Sequence, residues 1–125
     1  HDFPRYLGGH NLGPVAEEHI LGVMTTCLTH IFEIQASSQG VDLDSLRLET
    51  EGTLTPRVGG QSPRFTGIHY KAFIGSPESK ERVAALVEAV EGACPIYNLL
   101  RNANEVSSRV VRGHYKEPVK AAAVN

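Results

Sequence analysis

Glu17-Glu18-His19-Ile20-Leu21-Gly22-Val23-Met24-Thr25-Thr26-Cys27-Leu28-Thr29-His30-Ile31-Phe32 is the stretch that organises the chain. Apolar residues recur at 20, 24, 27, 28 and 31, and again at 21, 28 and 32, which is helical spacing on more than one face. A helix of this kind is expected to be largely buried, and its flanks set its limits at about Val15 and Ser37. Ser37-Ser38-Gln39-Gly40 ends it, and an irregular, glycine-bearing entry of residues 1 to 14 leads into it.

Downstream the period changes. Leu46, Leu48 and Thr50 alternate with Arg47, Glu49 and Glu51, the two-residue repeat of a half-buried strand. The run from Thr55 to Pro63 reads as a hairpin connection longer than the usual roughly two to five residues. A second strand is expected from about Arg64 to Ile74, with Ile68, Tyr70, Ala72 and Ile74 on one face. Ser76-Pro77 signals the start of a second helix whose core stripe is Val83, Leu86, Val87 and Val90. Pro95 then suits the first position of a short helix opened by Cys94. A last strand is expected over about Glu105 to Tyr115, followed by a solvated tail from Lys116 to Asn125. Three strands and two main helices make a thin α+β domain with an antiparallel sheet and no internal repeats.

The 125 residues, 41% of them hydrophobic, suit a single domain with one core. A net charge of −2 with interspersed signs argues against a nucleic-acid footprint. Gly22, Thr25, Thr26, Thr29 and His30 interrupt the long helix, so no apolar run reaches the ~18 residues of a membrane span. No secretory signal is read, and reduced thiols point to the cytoplasm.

The two cysteines occupy unlike settings: Cys27 inside the long helix and Cys94 directly before Pro95. Two cysteines are too few for a secreted disulfide framework, and their separation of 94 − 27 = 67 residues does not say whether they meet. Each is open to two readings, a small buried hydrophobe or a reactive thiol. At a helix start Cys94 is expected to have a lowered pKa, from free backbone N–H groups and the helix dipole. His30, three residues after Cys27, can share its helical face, either supporting a thiolate or meeting a second subunit. Glu17 precedes Cys27 by 27 − 17 = 10 residues, about 15 Å along a straight helix. It and Glu18 are therefore either N-terminal carboxylates complementing the dipole or members of a site reached across an interface.

Taken together, Leu7-Gly8-Gly9, Gly13-Pro14, Glu17-Glu18, Cys27 and Cys94-Pro95 resemble, in order and spacing, the OsmC/Ohr superfamily of peroxide-resistance proteins. The resemblance runs from Leu7 to about Val106. It implies an OsmC-like fold in an interlocked homodimer, which would also cover the apolar surface of the long helix. It further implies a thiol peroxidase for organic hydroperoxides. Cys27 would attack the peroxide, Cys94 would resolve the product as a disulfide, and Glu17 would take the family's acidic position. A small dithiol or other thiol would be the reductant, with no metal, flavin or haem.

Two departures accompany the likeness. Family members carry strands and a thiolate-supporting arginine ahead of the Leu-Gly-Gly segment, where this chain has His1-Asp2-Phe3-Pro4-Arg5. The domain is thus expected to be N-terminally short, with Arg5 out of position and slow reaction with peroxide. Leu28-Thr29-His30 looks more like the broader OsmC-like branch. Alternatives of other classes are a Cys27–His30 hydrolase, a ligand-binding module without catalysis, and a metal site of Cys27, His30 and Cys94. Arg101 and Asn102 follow the Cys94 helix and are candidates to reach the same place.

Overall fold

The computed structural model describes residues 1–113; the expected tail, Lys116 to Asn125, lies outside the described residues, as do the last two positions of the expected third strand. A short 3-10 turn at Arg5–Leu7 precedes helix α1, Ala16–Gln39, the strands β1, Ser45–Leu54, and β2, Phe65–Gly75, and the helices α2, Lys80–Ala93, and α3, Pro95–Arg101. α1 is the central element and packs against β1, α2 and α3.

The ends of α1 have local causes. The Val15 N–H donates to Glu18 Oε2 at 2.9 Å, one half of a capping box whose other half valine has no acceptor to complete. At the far end Gly40 adopts φ 63°, the left-handed conformation glycine takes at low cost, and Val41 N–H donates back to the Ala36 carbonyl at 2.8 Å. Val41 is itself buried, so the turn also closes one end of the core.

Met24, Leu28, Phe32 and Ala36 form the buried stripe of α1, each four residues from the next. They pack with Val41, with Leu86 and Val90 of α2, and with Cys94. The long helix is thus buried on one face within a single chain. Val23 and Ile34, on the other side, remain 49% and 58% exposed.

β1 and β2 pair antiparallel from Ser45 opposite Gly75 to Leu54 opposite Phe65, with a register shift at Thr53/Leu54. Leu46, Leu48, Ile68, Tyr70, Ala72 and Ile74 point at the core. Arg47, Glu49, Glu51, His69 and Lys71 face outward, where Arg47 pairs with Glu49 and both His69 and Lys71 reach Glu51. A hairpin alone is marginal in water, and the helix packed on it supplies the missing burial. Gly52 leaves room for that packing: a Cβ there would sit 2.8 Å from the Phe65 ring and 3.3 Å from Leu21, so the ring would have to shift.

Two expectations are corrected. Helix α2 begins at Lys80 rather than at Ser76-Pro77, because Ser76 closes the preceding turn instead. Its hydroxyl donates to the Asp42 carbonyl at 2.6 Å and accepts from Glu78 N–H. Ser79 is the cap, accepting from Arg82 N–H at 3.3 Å. The expected third strand does not form over the described part of its range, so the described residues hold two strands. Val106, Val110 and Val111 are largely exposed, and no neighbouring strand pairs with this segment. A stretch becomes a strand only where a neighbour binds its backbone groups.

A paired-thiol candidate site

The Sγ atoms of Cys27 and Cys94 lie 3.4 Å apart, with the Cys94 thiol donating to Cys27. Both are free thiols. Cys27 sits in the middle of α1 and is half-buried, whereas Cys94 is fully buried. The intervening residues 28 to 93 complete α1 and then form the hairpin and α2, which return the chain to the flank of α1.

Cys94 ends one helix and starts the next. Its N–H donates to the Val90 carbonyl at 2.9 Å, finishing α2, and its sulfur accepts from Tyr97 N–H at 3.4 Å, capping α3. α2 and α3 meet at a bend of 73°. The thiol is held above the ordinary range first by its burial; the Tyr97 N–H opposes this and the Cys27 sulfur adds to it. This corrects the expectation of a lowered value. A helix start favours the thiolate, but removing the sulfur from water disfavours it more.

Aromatic groups brace the elbow. Tyr70 on β2 donates to Glu91 Oε1 at 2.6 Å, and its pKa is raised by burial and by that carboxylate. Its ring meets Tyr97 edge-on at 5.8 Å. Arg101 lies 5.4 Å over the Tyr97 ring, so its guanidinium is engaged with an aromatic face. Asn102 bonds through both its backbone N–H and its side chain to the Asn98 carbonyl, ending α3. Sequence reasoning passed over Tyr97 and Asn98. The only available signal was their position, three and four residues after Cys94 in a helix.

Cys27 opens on a shallow groove of about 560 Å³, together with Glu18, Val23, Thr26 and His30. His30 thus shares the groove with the thiol. Glu17 is inside the helix proper and belongs to another groove, about 440 Å³, with Tyr6, Leu7 and Arg57; Glu18 borders both. Within one chain Glu17 and Cys27 are therefore apart. Arg5 lies exposed in the 3-10 turn and lines neither groove. Among the described residues no three His, Cys, Asp or Glu side chains cluster as metal ligands would, so the Cys27, His30 and Cys94 set gains no support as a metal centre. No single described helix is long and apolar enough to cross a membrane.

The architecture recurs in solved structures. An organic hydroperoxide resistance protein OsmC of Legionella pneumophila superposes with a TM-score of 0.65 at 22% identity, covering 80% of this chain and 71% of that one. An OsmC-like hydroperoxide resistance protein of Jannaschia sp. CCS1 gives 0.72 at 19%, covering 83% and 71%. An OsmC-like protein of Mycoplasma pneumoniae gives 0.64 at 19%, covering 79% and 68%. At these identities the likeness concerns the fold. No curated protein matches the sequence significantly. The OsmC-like protein family model, however, matches residues 9–109, from just ahead of α1 to beyond α3, and on that extent the chain belongs to the OsmC-like family.

Proposed function

We propose that this chain is a thiol peroxidase that reduces organic hydroperoxides through a reversible Cys27–Cys94 disulfide. The 3.4 Å approach of an accessible sulfur to a buried one carries the reading. Solved structures of the same fold described as hydroperoxide resistance proteins support the substrate class.

The chemistry follows from the two environments. The Cys27 thiolate, open to the groove, attacks the distal peroxide oxygen. An S–O bond forms, the O–O bond breaks, and the leaving alkoxide takes a proton to depart as an alcohol. Cys27 is left as a sulfenic acid, oxidised by two electrons. Cys94, protonated and shielded at rest, then attacks the Cys27 sulfur. The S–S bond forms as the S–O bond breaks, and the hydroxyl leaves as water with the Cys94 proton. A dithiol returns both cysteines to thiols by exchange, and is itself oxidised. Glu17, Glu18 and His30 are supporting residues in this scheme. Glu17 acts from a second subunit, since its own helix separates it from Cys27 by about 15 Å.

The assembly in this scheme is a homodimer, and the exposed Val23 and Ile34 on the outer face of α1 support it. The setting is cytoplasmic, where both thiols stay reduced between turnovers. A Cys27–His30 hydrolase leaves the approach of Cys94 without a purpose, and nothing favours it over the redox reading.

Addition of one equivalent of an organic hydroperoxide should consume both thiols and give an intramolecular bridge, counted by mass spectrometry. Cys27→Ser should abolish this, and Cys94→Ser should stop at the sulfenic acid. Two free thiols remaining in the wild type, or oxidation of one with no bridge, would sink the mechanism.

A further inference from the structure

The elbow that presents Cys94 is held by one side chain to which neither the sequence motifs nor the peroxide chemistry assigns a role. The two N–H groups on Asn98 Nδ2 serve three carbonyls, those of Glu91 at 2.9 Å, Cys94 at 2.9 Å and Gly92 at 3.2 Å, so that one N–H is shared between two acceptors. Glu91 and Gly92 lie in the last turn of α2, where carbonyls have no partner within the helix. The third acceptor belongs to the cysteine itself. One amide thus binds the end of α2, the junction residue and the first turn of α3, across the 73° bend.

Among the described residues no other side chain hydrogen-bonds to the backbone on both sides of the junction. Tyr70 reaches both helices from the sheet, through a hydrogen bond to the Glu91 side chain and an edge-on contact with the Tyr97 ring, but it holds side chains and binds neither the carbonyls that end α2 nor the Cys94 backbone. The Tyr97 N–H points at the sulfur, and its aim depends on the start of α3 staying where Asn98 puts it. We propose that Asn98 is a positioning residue for Cys94: its amide fixes the α2–α3 elbow and so keeps Cys94 Sγ within bonding reach of Cys27 Sγ. This rests on the thiol-redox reading above, and it concerns the step in which the second sulfur attacks the first.

That step can be observed without a peroxide. An aromatic disulfide reacts with the Cys27 thiolate to give a protein–aryl mixed disulfide and one arylthiolate. Cys94 then attacks the Cys27 sulfur, the second arylthiolate leaves, the Cys94 proton goes to solvent, and the protein disulfide is formed. With one equivalent of reagent the first release depends on reagent concentration and the second does not, so the two rates separate in a stopped-flow trace.

Asn98→Ala and the near-isosteric Asn98→Asp, which replaces the donor with an acceptor facing three carbonyls, should leave the first rate within about twofold. Both should slow the second on the order of ten- to a hundredfold, as expected when a reacting group is displaced by about an ångström. A residue that served stability alone would lower the melting temperature and leave the second rate as it was. An unchanged second rate in either folded variant overturns the proposal. Release of a single arylthiolate by the wild type overturns the redox reading with it, a result distinct from two releases indifferent to Asn98. Should both variants fail to fold, exchange of the Asn98 side-chain amide protons in the wild type decides. Protection above that of the exposed Asn11 supports the clasp, and equal exchange overturns it.

Discussion

The two faces of α1 differ in what each presents and what each needs. The inner face carries Met24, Leu28, Phe32 and Ala36 at a spacing of four, all sealed against α2, the sheet and Cys94. The outer face carries Val23 and Ile34 in the open, with Glu18, Thr26 and His30 around the Cys27 groove. The inner stripe is a core and is complete in one chain. The outer face joins apolar side chains to a thiol and an imidazole, an arrangement typical of a surface that meets a ligand or a partner. The paired sulfurs mark the border, since Cys94 belongs to the sealed side and Cys27 to the open one.

The largest expected effect tests the inner face. Phe32→Ala, at a fully buried position, should destabilise by about 3–5 kcal/mol in a denaturant titration. A loss below about 1 kcal/mol would mean that the stripe is not a close-packed core. The outer face should respond differently. Val23→Asp should leave secondary structure intact and weaken self-association by about tenfold or more, read by sedimentation. An unchanged mass with a collapsed fold would erase the distinction between the two faces.

Proton binding sharpens the contrast further. Cys94 and Tyr70 both hold their protons to higher pH in the folded chain than in the unfolded one. The folded state therefore binds more protons above the ordinary thiol range, and its stability falls as pH rises. Melting temperature should be steady below about pH 8.5 and decline above it, with the tyrosine share following above about pH 10. Cys94→Ser should flatten the first part of the decline and Tyr70→Phe the second. A flat profile in the wild type would show that the sealed side is open to water. The smallest effect concerns a helix end rather than a face: Ser79→Ala should cost about 1 kcal/mol, against almost nothing for Ser62→Ala in the long hairpin connection.

Most of the fold was legible because its signals are local. The spacing around Cys27 located α1 to within a residue or two, and strict alternation located both strands. Helix α2 was placed too early because Ser76-Pro77 and Ser79 each offer a start, and only the third dimension assigns Ser76 to the Asp42 carbonyl. The third strand was expected over about Glu105 to Tyr115, and a local stretch of sequence is silent about whether a neighbouring strand exists. Cys94 shows the same limit in its chemistry, since its position at a helix start is written in the sequence and its burial is not. The meeting of the sulfurs was likewise not contained in their spacing and came from family resemblance. Tyr70 was read correctly as inward-facing, yet its bond to Glu91 joins residues 21 apart that share no motif.

The threonines of α1 carry a last consequence. Thr25, Thr26 and Thr29 return their hydroxyls to the carbonyls of Leu21, Gly22 and Thr25, at 2.9, 3.0 and 2.8 Å. In hydropathy they count as polar breaks in the helix. Folded, each hydroxyl is engaged with its own backbone, Thr25 meeting Thr50 Oγ1 at 2.7 Å as well, and of the three Thr26 borders the groove. The wall beside Cys27 is accordingly oilier than its letters suggest, a surface that favours apolar groups over small polar ones.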